Sequence, residues 1–254
     1  MTADIDELAA LAAKVTREVG IEVGRRRAAG FSWTTKSTST DVVTEIDTWA
    51  ESTVVERIES QRPDDGFLGE EGTERTGSTG VVWVIDPVDG TTNLLYGLPG
   101  FSVSIGVEID GEPVAGAVFD PIRDELFAAS LGAGATRNGE PIAPTGLEDL
   151  SSALVATGFS YSATDRSAQA QALVGILPAV RDIRRNGGAA LDFCAVACGR
   201  VDAYFERGIK PWDGAAGRVI ASEAGATVDM GDLTIVAGPA LFSELRELLA
   251  RSGA

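Results

Sequence analysis

Histidine is absent from this sequence of 254 residues, and its absence excludes several classes of chemistry. Ser-His-Asp hydrolases, Cys-His proteases, phosphohistidine enzymes and zinc sites with histidine ligands all require the imidazole ring. Any catalysis must therefore use carboxylates, hydroxyls, lysine, arginine or a bound metal ion. Cysteine is scarce as well, since the chain has two, and this is typical of a protein from a reducing compartment.

Basic residues are also few, with 21 Lys and Arg against 38 Asp and Glu, so the formal net charge is −17. A field of this sign repels nucleic acid and anionic membranes, and we expect neither as a partner. It also repels a phosphate substrate, unless cations held by carboxylates reverse the sign locally. No apolar run reaches the ~20 residues that span a bilayer, and residues 1–22 lack the pattern of a secretory signal. The sequence predicts a cytoplasmic protein.

The hydrophobic pattern changes near residue 144. Before it, two stretches with helical spacing accompany a continuous apolar strand at residues 81–85 and an antiparallel hairpin that turns at Asp110-Gly111. After it, strands alternate with helices, which predicts a sheet with helices on its faces. The predicted helices of this second half cover residues 167–180, 189–199, 214–224 and 240–251. We expect an α+β subdomain over 1–144 and an α/β subdomain over 145–254.

Four acidic groups lie in predicted loops at the ends of these elements. They are Asp41 with Asp47, Glu70 with Glu71, Asp86 with Asp89, and Asp213. Any one of them is also explained as a polar terminus or a helix cap. Carboxylates forced together, however, raise each other's pKa, and a divalent cation removes that cost. Mg²⁺ is typically held by a few carboxylates, with water and substrate phosphate completing its shell.

The segment 86–93, Asp-Pro-Val-Asp-Gly-Thr-Thr-Asn, is the most informative of these motifs. It places two carboxylates three residues apart, immediately before a possible helix start at Thr91. The free N–H groups and the positive dipole end of a helix favour an anion. The segment therefore predicts a metal site that takes a phosphate.

In order and spacing, these motifs resemble those of the inositol monophosphatase family of metal-dependent, lithium-sensitive phosphatases. The similarity covers nearly the whole chain and rests on residues 41–47, 69–71, 83–93 and 212–217. It implies an α/β fold, a layered α/β/α/β/α sandwich of the sugar-phosphatase type, and a homodimer. It also implies that the first subdomain carries most of the metal ligands.

The resemblance further implies a set of two or three Mg²⁺ ions. Glu70, Asp86 and the backbone carbonyl of Val88 would hold the first ion. Asp86, Asp89 and Asp213 would hold the second, and a third, weaker ion would sit near Glu70.

Catalytic and substrate-binding roles are implied in the same way. Thr91, hydrogen-bonded to Asp47, would orient the attacking water, with Glu70 as a further catalytic residue. Lys36 matches a basic residue on a loop near the metals. The implied substrate contacts are Gly90, Thr91, Ala189, Glu206 and Asp213.

We predict a Mg²⁺-dependent phosphomonoesterase that acts on a small polyol phosphate, first of all inositol 1-phosphate. Glu206, as an acceptor for substrate hydroxyls, favours a polyol. Histidinol phosphate and fructose 1,6-bisphosphate are alternatives on the same metal site. The chain departs from the family pattern at Gly188, where a hydroxyl residue is common, and at Asn186, where an apolar residue is common. A regulatory protein-binding module, which would not be an enzyme, is the alternative from a different functional class.

Overall fold

The computed structural model describes residues 4–36 and 42–254, so Asp41 of the first acidic group lies outside the described residues. Seven α-helices fall within these ranges: α1 Ile5–Ala29, α2 Glu45–Glu59, α3 Thr91–Leu95, α4 Ala163–Ile176, α5 Ala189–Ala197, α6 Pro211–Glu223 and α7 Pro239–Ser252. Helix α1 shows the pattern that the sequence predicted. Asp4 caps its N-terminus, and the apolar residues three and four apart form its buried side.

The strands of the described residues form three sheets. A two-stranded sheet contains β1 Trp33–Thr35 and β2 Val42–Thr44. The eight-stranded sheet contains β3 Gly66–Gly69, β4 Glu74–Arg75, β5 Val81–Asp89, β6 Ser102–Ile109, β7 Glu112–Asp120, β8 Glu125–Ser130, β9 Gly134–Arg137 and β10 Glu140–Pro141. The five-stranded sheet contains β11 Leu154–Thr157, β12 Asp182–Arg184, β13 Ala203–Arg207, β14 Thr227–Met230 and β15 Leu233–Ala237.

Most neighbouring strands are antiparallel, and parallel pairs occur in both of the larger sheets. Across the large sheet the order is β10-β9-β8-β7-β6-β5-β3-β4, and β3 is parallel to β5, whereas the other neighbours are antiparallel. Across the small sheet the order is β12-β11-β13-β15-β14. Its first three strands are parallel because helices connect them, and the last two are antiparallel.

The two larger sheets and the helices packed on their faces form five layers. Side chains alternate between the two faces along each strand, so each sheet contacts helices on both sides. Helices α1 and α2 pack on one face of the large sheet, and α6 packs on its other face together with α5. In the small sheet, Ala156, Tyr204 and Val236 face α5 and α6, while alternate residues such as Val155 and Phe205 face α4 and α7. The result is the predicted α/β/α/β/α sandwich.

Among the helices predicted for the second half, the ends differ most at α4. The helix predicted over 167–180 is α4, which begins earlier, after the cap residue Ser162, and ends at Ile176. Pro178 has no N–H group with which to continue the helical hydrogen bonds, and a 3₁₀ turn at Leu177–Ala179 follows. The large sheet ends at Pro141 and the small one begins at Leu154, while the division into subdomains at residue 144 stays a prediction.

Within residues 4–36 and 42–254, none of the helices combines the length and the apolar character that a bilayer span needs.

Candidate active site

Asp86 and Asp89 lie in the last four residues of β5, at an irregularity of the strand. Asp86 pairs with Ser104 of β6 and Asp89 with Ser102, so β5 carries one extra residue, a β-bulge. Pro87 has no N–H group to donate and is tolerated at such a bulge. The prediction that a loop begins at Asp86 is therefore wrong. The strand continues, and both carboxylates are buried, with 1% and 7% exposure.

Asp89 is fixed by the first turn of α5. The backbone N–H groups of Ala189 and Ala190 donate to its two carboxylate oxygens, at 3.0 and 2.9 Å. The positive end of the helix dipole favours a carboxylate at this position. A strand of the large sheet and a helix of the second half thus meet at one acidic side chain. The substrate contact assigned to Ala189 stays a prediction, and its N–H group is directed to Asp89.

Thr91 and Asp47 are brought together although they are 44 residues apart in the chain. The Thr91 hydroxyl lies 3.0 Å from Asp47 Oδ1 and 2.9 Å from the carbonyl oxygen of Val88. Gly90, with φ of +83°, caps α3 in a left-handed conformation that favours glycine, and α3 starts at Thr91. Asp47 also accepts hydrogen bonds from the N–H and hydroxyl groups of Thr44. Burial raises the pKa of Asp47, against the effect of these hydrogen bonds.

Glu70 and Glu71 lie in the turn between β3 and β4, and Lys36 contacts both. Lys36 Nζ donates to Glu70 at 2.8 Å and to Glu71 at 2.6 Å. Burial raises the pKa of Glu71 to about 7, and Lys36 opposes the rise. Lys36 therefore brings a positive charge to the acidic group, and its role near metal ions stays a prediction.

Glu51, which belongs to none of the predicted motifs, holds this turn. Its carboxylate accepts hydrogen bonds from the backbone N–H groups of Glu71, at 2.7 Å, and Thr73, at 2.9 Å. Glu51 lies on α2 and is 3% exposed. Its position on the buried side of an amphipathic helix, where a charged residue is unusual, is the sequence signal that could have identified it.

Asp213 reaches the site from α6. It is the third residue of the helix, and its carboxylate accepts a hydrogen bond from the N–H of Lys210 at 2.6 Å. Burial, together with Glu70 and Glu206, raises the pKa of Asp213 to about 7. Asp213 is therefore not the cap residue of α6, since Lys210 holds that position, and its carboxyl lies close enough to Glu70 and Glu206 for their charges to raise its pKa.

The acids of this site repel one another strongly. Burial raises the pKa of Asp86 well above its usual range, and Glu70, Asp89 and Asp213 raise it further. The pKa of Asp89 is also raised well above its usual range, by burial and by the charges of Asp213 and Asp192. Such a group of buried carboxylates costs free energy that a divalent cation removes.

The donor set fits a hard cation such as Mg²⁺, since it offers carboxylate oxygens and no sulfur or imidazole. Within residues 4–36 and 42–254, no three acidic or cysteine side chains are arranged as a ready-made chelate. The fit therefore depends on the chemistry of the donors and on their mutual repulsion.

A cavity of about 670 Å³ joins these residues to the second half of the chain. With the exception of Asp47, which lies behind Thr91, all the predicted site residues line it. They are Lys36, Glu70, Asp86, Val88, Asp89, Gly90, Thr91, Ala189, Glu206 and Asp213. The volume is within the range of small-molecule sites.

Asp192 is a further acid of this cavity that the sequence analysis did not identify. It lies in the first turn of α5, is 2% exposed and accepts a hydrogen bond from Asn186 Nδ2 at 2.6 Å. Burial raises its pKa to about 7, and the nearby Glu206 contributes. The signal in the sequence was an acid in an otherwise apolar helix.

Comparisons with known proteins identify the family and support the fold. The model of the inositol monophosphatase family matches residues 4–252. The chain is 44% identical over 233 residues to an inositol-1-monophosphatase SuhB of Mycobacterium tuberculosis, covering 85% of this chain and 80% of that protein. It is 47% identical over 189 residues to a Nus factor SuhB of Xylella fastidiosa, covering 74% and 68%. The solved structure of Mycobacterium tuberculosis SuhB matches with a TM-score of 0.86 at 40% identity, covering 98% of each chain.

Proposed function

Because the chain belongs to the inositol monophosphatase family, we propose that it is a Mg²⁺-dependent phosphomonoesterase that hydrolyses inositol 1-phosphate. One observation carries the proposal. The Thr91 hydroxyl, held by Asp47, lies in the same cavity as the acids Glu70 and Asp86. A positioned hydroxyl beside a cation site is what the attack of water on a phosphate ester requires.

In this proposal the ligands are those that the family resemblance implies. Glu70, Asp86 and the carbonyl of Val88 would hold one Mg²⁺. Asp86, Asp89 and Asp213 would hold a second, and a third would bind near Glu70. Bound Mg²⁺ lowers the pKa of water and stabilises negative charge on the phosphate and the leaving oxygen.

The chain itself orients the nucleophile and the phosphate. Asp47 Oδ1 and the carbonyl oxygen of Val88 share the single proton of the Thr91 hydroxyl, so that the lone pairs of its oxygen stay available to the water. The backbone N–H groups of Gly90 and Thr91 donate to the phosphate. The buried position of Asp47 keeps competing water away from this pair.

The hydroxyl-bearing end of the substrate would lie against Glu206, with Ala189 and Asp213 beside it. Glu206 lines the cavity, and its carboxylate is an acceptor for ring hydroxyls. A site that pairs a substrate hydroxyl discriminates strongly against ligands that lack it. A Cβ added at Gly188 would lie 2.7 Å from Asp89 Oδ2, so this glycine packs on an acid of the site and opens no space beside Glu206. Histidinol phosphate and fructose 1,6-bisphosphate stay in the test as the alternative substrates.

The test is phosphate release from inositol 1-phosphate, histidinol phosphate, fructose 1,6-bisphosphate and adenosine 3′-phosphate, with and without Mg²⁺. We expect inositol 1-phosphate to give the highest kcat/KM, to require Mg²⁺ and to be inhibited by Li⁺. Glu206→Gln should lower that kcat/KM, while the exposed Glu140→Gln serves as the matched control. A preference for histidinol phosphate that disappears in Glu206→Gln would overturn the proposed substrate and make the carboxylate an ammonium site.

A regulatory role through a protein partner is the second candidate, supported by the 47% identity to a protein named a Nus factor. The net charge of −17 disfavours direct contact with RNA but not with a basic protein surface. Asp86→Asn separates the two functions, because it should abolish phosphate release and leave binding of a partner intact. Sedimentation of the same samples measures whether the protein is a homodimer.

A further inference from the structure

Glu206 is a carboxylate whose surroundings hold it tightly. The Tyr204 hydroxyl donates to Glu206 Oε2 at 2.7 Å. A Cβ added at Gly158 would lie 1.9 Å from the same oxygen, so the carboxylate packs directly on the glycine backbone. Among the ion pairs of residues 4–36 and 42–254, none involves Glu206. Its direct contacts are therefore the Tyr204 phenol and the Gly158 backbone, and the charge of Arg185 acts on it from further away.

Tyr204 is itself fixed by packing. It lies two residues before Glu206 on β13, so both side chains extend from the same face of the strand. Its ring is buried and contacts Phe193 of α5, with ring centroids 5.4 Å apart at 59°. A ring with no freedom to move holds its hydroxyl at one point.

A hydrogen bond from Tyr204 has two effects on the carboxylate. It orients the group, and it favours the ionised form against the burial that raises the pKa of Glu206. The phenol stays a neutral donor, because burial and the charge of Glu206 raise its own pKa. The Tyr204 hydroxyl occupies one lone pair of the Glu206 carboxylate, and the remaining lone pairs can accept from donors in the cavity.

We propose that Tyr204 is a positioning residue that sets the preference for hydroxyl-bearing substrates, because it holds Glu206 against Gly158 as an oriented acceptor. The inference rests on the proposed function. The selectivity of the site then depends on Tyr204, which does not line the cavity. It also depends on Gly158, where a larger residue would overlap the Glu206 carboxylate.

Tyr204→Phe removes one oxygen and keeps the ring. We expect kcat/KM for inositol 1-phosphate to fall about 10-fold, mainly through KM, since a hydrogen bond to a charged group is lost. The rate with 4-nitrophenyl phosphate, which has no hydroxyl, should stay within about 2-fold. Gly158→Ala should reproduce this selective loss, because its methyl group displaces the same carboxylate. The exposed Tyr96→Phe is the matched control.

A double-mutant cycle provides the second measurement. In a Glu206→Gln background, Tyr204→Phe should change kcat/KM for inositol 1-phosphate by less than about 2-fold. An equal loss on both substrates, no loss on either, or the same loss with and without Glu206 would overturn the role of Tyr204. Failure of the proposed function is seen separately, in the parent enzyme, as hydrolysis of 4-nitrophenyl phosphate without hydrolysis of inositol 1-phosphate. In that event glycerol 2-phosphate, which carries two hydroxyls, replaces inositol 1-phosphate in the same comparison.

Discussion

Neutralising Asp213 is expected to stabilise the metal-free protein, and increasingly so as the pH rises. Burial and the neighbouring acids raise the pKa of this carboxyl from 3.8 to about 7. At 1.36 kcal/mol per tenfold change in proton affinity, the difference corresponds to an upper limit of about 4 kcal/mol. Since Asp213 keeps partial contact with water, which screens its charge, we expect about 2 kcal/mol.

The sign follows from proton affinity. The folded state binds the proton of Asp213 more tightly than the unfolded chain does, so its contribution to stability is intact below about pH 4 and is lost as the pH rises through about 7. Asp213→Asn removes this titration and keeps an oxygen for the Lys210 N–H. In EDTA, the free energy of unfolding of Asp213→Asn should exceed that of the parent by about 2 kcal/mol at pH 8, and by less than half of that at pH 5.

Urea unfolding at the two pH values measures these differences. Mg²⁺ at about 100 times its Kd should stabilise the parent by about 2.7 kcal/mol at pH 8, and it should stabilise Asp213→Asn by less. The exposed Asp64→Asn is the control and should stay within about 0.5 kcal/mol of the parent at both pH values. A difference between parent and Asp213→Asn that is constant from pH 5 to pH 8 would refute the reasoning.

Three further predictions concern single residues. Asp86→Asn should reduce phosphate release about 10³-fold at saturating Mg²⁺ without changing the circular dichroism spectrum, and near-normal turnover would contradict its role. Thr91→Ala should lower kcat about 10²-fold with little change in KM, and Thr91→Ser should restore most of it, whereas a loss confined to KM would make Thr91 a binding residue. Asp65→Ala should cost about 3 kcal/mol in urea unfolding, because its buried carboxylate accepts hydrogen bonds from Arg62, Thr79 and Trp83. Activity per folded molecule should not change in Asp65→Ala, and a cost below about 1 kcal/mol would contradict the prediction.

Most helices and strands could be predicted because the apolar spacing is strong, whereas their arrangement in five layers followed from the family resemblance. The alternation around residues 101–119 specifies the central hairpin, and the stripe of α1 specifies its buried side. Element ends were less predictable. The end of β5 was misplaced because a proline and two acids are typical of a loop, whereas pairing with β6 accommodates them in a bulge.

The sequence determined which acids to examine, because the segment 86–93 is local and its spacing is visible in one dimension. The pairing of Thr91 with Asp47 also followed from motifs, through the family resemblance. Glu51, Asp192 and Tyr204 were not identified, since none of them belongs to a motif. Each acts through a partner that only the folded chain brings near.

The composition by itself determined that any chemistry here must run without histidine, and the order of the acidic motifs determined the family. Only the tertiary structure decided how those acids are held. Asp89 is fixed by helix α5, whose first residues lie about 100 positions away in the chain, and Glu206 is fixed by a buried phenol and a glycine. The physical reason is that hydrogen bonds and burial depend on distance in space, and a sequence pattern reports only distance along the chain.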